Sequence, residues 1–79
     1  MYVFGVTVLA KDSIGPHYAN QVVYASDIVM AEHVIIEHYK QSDEVLIEID
    51  QVVELEDVKA DGTPRVLDTI AKNYFETSA

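Results

Sequence analysis

The chain has no cysteine, no tryptophan, two prolines, three glycines, and only five basic residues against fourteen acids in 79 positions. Without cysteine there is no disulfide scaffold, no thiolate metal site and no cysteine nucleophile, a composition that suits a reducing compartment. So little proline and glycine excludes a linker or collagen-like chain. The longest apolar runs are four residues, such as Ile28 to Ala31, far below the roughly 18 that a membrane span requires. Met1 leads into a strand-like segment with no basic stretch, so no secretory leader is expected and the cytoplasm, a host's if the chain is phage-encoded, is the expected location. A net charge of −9 repels nucleic acid and anionic membranes and favours basic partners. What is present is a globular balance, 49% hydrophobic and 24% charged, which predicts a packed core in a single domain over residues 1–79.

Tyr2 to Ala10 alternates, with Phe4, Val6 and Val8 on one side and Val3, Thr7 and Leu9 on the other, as a half-buried strand does. Asp12, Ser13 and Gly15-Pro16 supply a turn, and His17 to Ala25 reads as a second strand, with His17 beside the turn as a loop residue. Ser26 and Asp27 offer cap oxygens for a helix to about Lys40. On that helix Ile28, Met30, Ala31, Val34, Ile35, His38 and Tyr39 fill one arc, His33, Glu37 and Lys40 lie opposite, and Val29 and Ile36 form a small second strip. Val45 to Val58 alternates again, with Val45, Ile47, Ile49, Val53 and Leu55 on the apolar parity. Its length predicts a bend or bulge near Asp50-Gln51, although Val52, Leu55 and Val58 also recur every third residue, which leaves a helix over Gln51 to Ala60 as the competing reading.

After the turn signal Asp61-Gly62, Thr63-Pro64 resembles a capped helix start, and the wheel over Pro64 to Glu76 gathers Val66, Leu67, Ile70, Ala71, Tyr74 and Phe75 on one half. The expected fold is therefore α+β, in the order β-β-α-β-α, a three-stranded antiparallel sheet with both helices packed on one face. Its predicted core joins Val6, Val8, Val23, Ile28, Ala31, Ile35, Ile47, Ile49, Val66, Ile70 and Tyr74. Two free sheet edges on so small a core suit pairing with a partner or a second copy.

Catalytic patterns are weak. His33 and Glu37 stand one helical turn apart, but two ligands are too few for zinc and the solvated face explains them as well. The four serines lack the glycine context that exposes a nucleophile, and the three glycines are isolated. No enzyme activity, cofactor or metal is expected. The acids stand out instead. Residues 43–61 hold eight acids against Lys59 alone. On a regular strand Glu48 and Asp50, then Glu54 and Glu56, would repeat every 6.6–6.8 Å or so on one face, which suits a basic groove that normally receives phosphates. Glu48, Asp50, Glu54, Glu56 and Asp57 are the expected partner-binding residues, and Val29 with Ile36 a second interface. The alternative is that these acids serve only solubility.

The stretch Val22-Val23-Tyr24-Ala25-Ser26-Asp27-Ile28-Val29-Met30-Ala31, continued by Ile35 and Tyr39, resembles the strand-to-helix junction of small phage and mobile-element proteins of the DpnD/PcfM-like family. The likeness spans about residues 2–50, and the acidic strand and the predicted last helix depart from it. In its small size, acidity and lack of cysteine the chain also resembles the anti-CRISPR proteins, which implies by analogy a phage-encoded inhibitor. Such a protein would bind a basic host protein or nucleoprotein complex by occupying its nucleic-acid site, without touching nucleic acid or membrane itself. The other expectation is a self-associating accessory protein, a homodimer whose acids only solubilise it.

Overall fold

The computed structural model describes residues 1–59 and 62–75; Asp61 in the predicted turn, the helix end at Glu76 and Ser78 lie outside them. The elements are β1 (Tyr2–Lys11), β2 (Pro16–Ala25), α1 (Ile28–Lys40), β3 (Val45–Asp57) and β4 (Arg65–Tyr74). They form one four-stranded sheet in the order β3-β1-β2-β4, each neighbouring pair antiparallel. The fold is α+β, but the expected three strands with two helices are overturned: the last segment is a strand.

The central hairpin follows from its sequence. At the turn Asp12 Oδ1 accepts the N–H groups of Ile14 (2.9 Å) and Gly15 (3.2 Å), and Gly15 takes φ 146°, where a side chain would strain the backbone. β1 and β2 then pair without a shift from Lys11↔Pro16 to Tyr2↔Ala25. One face of this pair is sealed, with Phe4, Val6, Val8 and Ala10 from β1 and His17, Ala19, Gln21, Val23 and Ala25 from β2 all buried. α1 covers that face through Ala31, Ile35 and Tyr39. Asp27 is its N-cap, accepting the Met30 N–H at 2.8 Å, which satisfies one of the helix's free donors. Ile28 and His38, placed on the buried arc by the wheel, are exposed.

The outer strands behave differently. β3 against β1 shifts register three times and β4 against β2 twice. The residues left without a partner are Ile47, Asp50 and Leu55 in β3 and Leu67 and Ile70 in β4. Each bulge inserts one residue, so the inward positions no longer alternate. Leu46, Ile49 and Val52 come three apart and pack against the core, while Ile47, Leu55, Leu67 and Ile70 are 53%, 58%, 44% and 66% exposed. The expected bulge near Asp50-Gln51 is present. Val45, Ile47, Val53 and Leu55, expected to be buried, are exposed. Of the predicted core, Val6, Val8, Val23, Ala31 and Ile35 are buried, Ile49, Val66 and Tyr74 are half-buried, and Ile28, Ile47 and Ile70 are exposed. Bulges explain the β4 error too. Leu67 and Ile70 are the bulge residues of β4, so Val66, Leu67, Ile70, Ala71 and Tyr74 keep a spacing that imitates a helix, while the strand gives β2 the partner its outer edge needs.

Candidate functional site

Among the described residues, polar groups concentrate in two places. One is the acidic edge strand and the other is a cluster where the β1–β2 turn meets β4 and the start of β3.

In β3 the register separates the acids expected to share a face. Glu48 lies opposite Leu9 and Glu56 opposite Val3, on the face that α1 leaves uncovered. Glu54 lies opposite Phe4 and Asp57 opposite Tyr2, on the helix side, and Asp50 is a bulge residue. The bulges thus break the phosphate-like row that a regular strand would give. All five carboxylates remain exposed, and β3 pairs with β1 on one side only. None of the five has an ion-pair partner among the described residues. The negative rim therefore stands on a strand whose outer backbone groups have no neighbouring strand among the described residues.

The second interface splits as well. Val29 is 76% exposed and Ile36 40%, but they belong to different depressions. Val29 adjoins Tyr2, Phe4, Ile28 and Glu54, whereas Ile36 adjoins Tyr39, Glu44 and Leu46. His33 and Glu37 line an open groove between α1 and residues 64–69, the space the expected second helix would have filled. Glu37 there pairs with Lys40 at 3.3 Å, an ordinary exposed contact.

The cluster at the other end joins Asp12, His17, Glu44, Lys72 and Tyr74. His17, expected in a loop, is the first inward residue of β2 and is fully buried, its ring 4.8 Å from that of Tyr74. Its Nδ1 lies 3.1 Å from the Gly15 carbonyl, which can only accept, so Nδ1 carries a proton. Nε2 lies 3.1 Å from Glu44 Oε1, yet at an angle that makes no hydrogen bond. Lys72 Nζ bridges the two acids, 3.0 Å from Glu44 Oε1 and 3.4 Å from Asp12 Oδ2, and the Tyr74 hydroxyl donates to Asp12 Oδ2 at 2.5 Å.

These contacts set the charges. The Tyr74 hydroxyl, helped by the Gly15 and Ile14 amides and by Lys72 against the effect of burial, holds the Asp12 carboxyl well below the usual carboxylate range. The same bond pushes the Tyr74 hydroxyl up, and Glu44 does so for the Lys72 ammonium. Beneath the cluster Gln21 Nε2 donates to the Tyr39 hydroxyl, whose own ionisation is pushed up by burial and by Glu44.

Sequence reasoning missed this cluster, although one signal was available. Once His17 begins a strand, it shares parity with Ala19, Gln21 and Val23, so burial followed from the alternation. The approach of Lys72 and Tyr74 depended on reading β4 as a strand.

No protein-family model, curated protein or solved structure matches this chain. Among the described residues, no helix is long and apolar enough to cross a membrane.

Proposed function

We propose that this protein is a small, acidic, non-enzymatic binding module that docks on a basic protein surface through β3. The observation that supports the reading is the concentration of five exposed carboxylates, without cationic partners among the described residues, on a strand at the sheet edge. Uncompensated charge of one sign speeds encounter with an oppositely charged surface. An open strand edge adds directional backbone hydrogen bonding once contact is made. The finer reading is that the surface is a nucleic-acid site in a host defence complex, which the chain would occupy as a phage-encoded, anti-CRISPR-like inhibitor. The bulges alter the form of that contact. Acids flanking both sides of an edge fit a basic cleft with two walls, and they do not reproduce one strand of evenly spaced phosphates.

The test is capture from the natural host at low salt, with wild type beside a variant carrying Glu48→Gln, Asp50→Asn, Glu54→Gln, Glu56→Gln and Asp57→Asn. The expected result is a basic protein held by the wild type and lost by the variant. Its capture should also weaken toward 0.5 M salt, where the screening length shrinks to about 4–5 Å. Release of bound nucleic acid from that protein would support the finer reading. Equal capture by both forms would overturn the proposal.

The exposed apolar residues of the outer strands, Ile47 and Leu55 on one edge and Leu67 and Ile70 on the other, favour a second reading, self-association. Sedimentation at low and high salt separates the two. An oligomer that tightens as salt screens the charge, and that survives neutralisation of the acids, would favour self-association.

A further inference from the structure

We propose that Asp12, His17 and Glu44 form a binding site for a divalent transition-metal ion, of which zinc is the type, with Lys72 as a built-in competitor for the position. The site is independent of β3 docking and lies at the end of the sheet where the hairpin turn, β4 and the segment before β3 converge.

The first argument is distance. One ligand atom from each of the three residues can be chosen so that all lie within 4.8 Å of one another. Nitrogen and oxygen ligands sit about 2.0–2.2 Å from zinc in a tetrahedron, so atoms sharing the ion are about 3.3–3.6 Å apart. The widest separation must close by up to about 1.5 Å, within reach of carboxylate side-chain rotation. The 3.1 Å between His17 Nε2 and Glu44 Oε1 already matches two adjacent ligands.

The second argument is the state of His17. With Nδ1 protonated toward the Gly15 carbonyl, the Nε2 lone pair is left beside Glu44, while Asp12 Oδ2 lies 3.8 Å from Nδ1 on the other edge of the ring. A backbone carbonyl on the far nitrogen is the outer contact that orients metal-bound histidines. Nε2 is fully buried and lacks a hydrogen-bond partner. A buried nitrogen lone pair 3.1 Å from a carboxylate oxygen is repulsive until a cation lies between them. The ring is fully buried and lies 4.8 Å from the Tyr74 ring, which restrains its rotation.

The third argument is that the chain already supplies a cation there. Lys72 Nζ contacts both acids, which shows that the position attracts positive charge, but it makes no hydrogen bond to His17 Nε2. A divalent ion satisfies all three ligands together. The Lys72 side chain is 35% exposed, so it can swing into water, still protonated, as the ion enters. The carboxylates are 14% and 23% exposed, which gives access for the ion and for water to complete its coordination. Three protein ligands with one open position is the pattern of an exchangeable or reactive zinc rather than a closed structural site.

The test uses the full chain stripped with a chelator and titrated with Zn²⁺, or with Co²⁺ for its absorption spectrum, by calorimetry and by ¹⁵N NMR of the histidine rings. The expected result is one equivalent bound, with the His17 Nε2 resonance shifted and those of His33 and His38 unmoved. Lys72→Met, which removes the competing ammonium, should tighten binding about tenfold or more, and Glu44→Gln should weaken it by a similar factor. Asp12→Asn should weaken it too. Because Asp12 also holds the turn, Glu44→Gln is the deciding variant, with circular dichroism confirming its fold. No binding of Zn²⁺ at 1 mM to either wild type or Lys72→Met would overturn the proposal, as would binding that Glu44→Gln leaves unchanged or that moves His33 in place of His17.

Discussion

The two inner strands and the two outer strands are built from similar residues and reach opposite ends. β1 and β2 pair in one unbroken register and bury a continuous face under α1, whereas β3 and β4 carry five register shifts between them and expose Ile47, Leu55, Leu67 and Ile70. The difference is where a partner exists. An inner strand has neighbours on both sides, so a slip of one residue would turn its whole apolar set outward. An outer strand has one neighbour, and bulges there bend the edge and interrupt the flat row of donors and acceptors that would recruit other chains. The acids on β3 add to that protection by mutual repulsion, and the same rim is what a basic partner could use.

The largest effect that tests the contrast is truncation in the covered face. Ile35 is fully buried under the sheet, so Ile35→Ala should cost about 2–5 kcal/mol, the range for emptied core positions. That is a large part of the stability of a domain this size. Ile70→Ala and Ile47→Ala remove similar volume at bulges that are 66% and 53% exposed, and each should stay within about 0.5 kcal/mol of wild type. Chemical denaturation of the three variants measures this. Comparable losses at Ile35 and Ile70 would mean that β4 buries its bulge residues against something, and the contrast would fail.

The same contrast explains what was legible in the sequence. Phe4, Val6 and Val8 alternate in β1, and Ala31, Ile35 and Tyr39 keep helical spacing, so local pattern and burial agree and the hairpin, cap and helix follow from residues alone. In β3 the alternation of Val45, Ile47 and Ile49 is present in the sequence, but the bulge at Ile47 puts Leu46 inward instead. Parity is a local property and register belongs to the pair, so no reading of one strand could place that bulge. In β4 the bulges at Leu67 and Ile70 leave Val66, Leu67, Ile70 and Ala71 at helical spacing for the same reason. Buried His17 was accessible from parity. Its carboxylate neighbours were not, since Tyr74 reaches Asp12 across 62 positions of sequence.

The next effect sharpens the inner half. The Tyr39 hydroxyl of α1 accepts from Gln21, which is only 2% exposed and whose Oε1 has no hydrogen-bond partner. Tyr39→Phe would leave both ends of that buried amide unpaired at a cost of about 1–3 kcal/mol. Gln21→Met together with Tyr39→Phe should recover a good part of it, since removing both partners avoids the stranded polar group. A double variant as unstable as the sum of the singles would show that the pair matters through packing alone.

A pH series tests how β4 is tied to the inner hairpin. The Tyr74 and Lys72 ionisations are raised above ordinary values near 10, so their contribution to stability is complete below about pH 10 and is lost as pH climbs through the raised values. Asp12 is lowered, so its contribution is complete above the ordinary carboxylate value near 4 and disappears as pH falls toward the folded one. The melting-temperature gap between wild type and Tyr74→Phe should therefore be steady from about pH 5 to 9 and shrink on both sides. A gap that ignores pH would mean that the hydroxyl contributes nothing through Asp12.

The smallest effect lies where the two halves touch on the uncovered face. Gly5 stands in the middle of β1, opposite Val53 of β3. Its φ lies outside the positive range, since Gly15 alone has a positive value. A methyl at Gly5 would meet Leu55 Cδ1 at 3.3 Å, slightly tighter than comfortable contact. Leu55 is a bulge residue and 58% exposed, so its side chain can move aside by rotating into solvent. The remaining term is the backbone freedom that glycine loses on folding, and Gly5→Ala should stabilise the domain by about 0.5 kcal/mol. Had Leu55 been packed as β1 and β2 side chains are, the same methyl would be forced into a fixed neighbour and the sign would reverse. Measured destabilisation by Gly5→Ala would therefore show that the β3 bulge is held as firmly as the inner strands, and the distinction between a rigid centre and yielding edges would not survive at this point of the sheet.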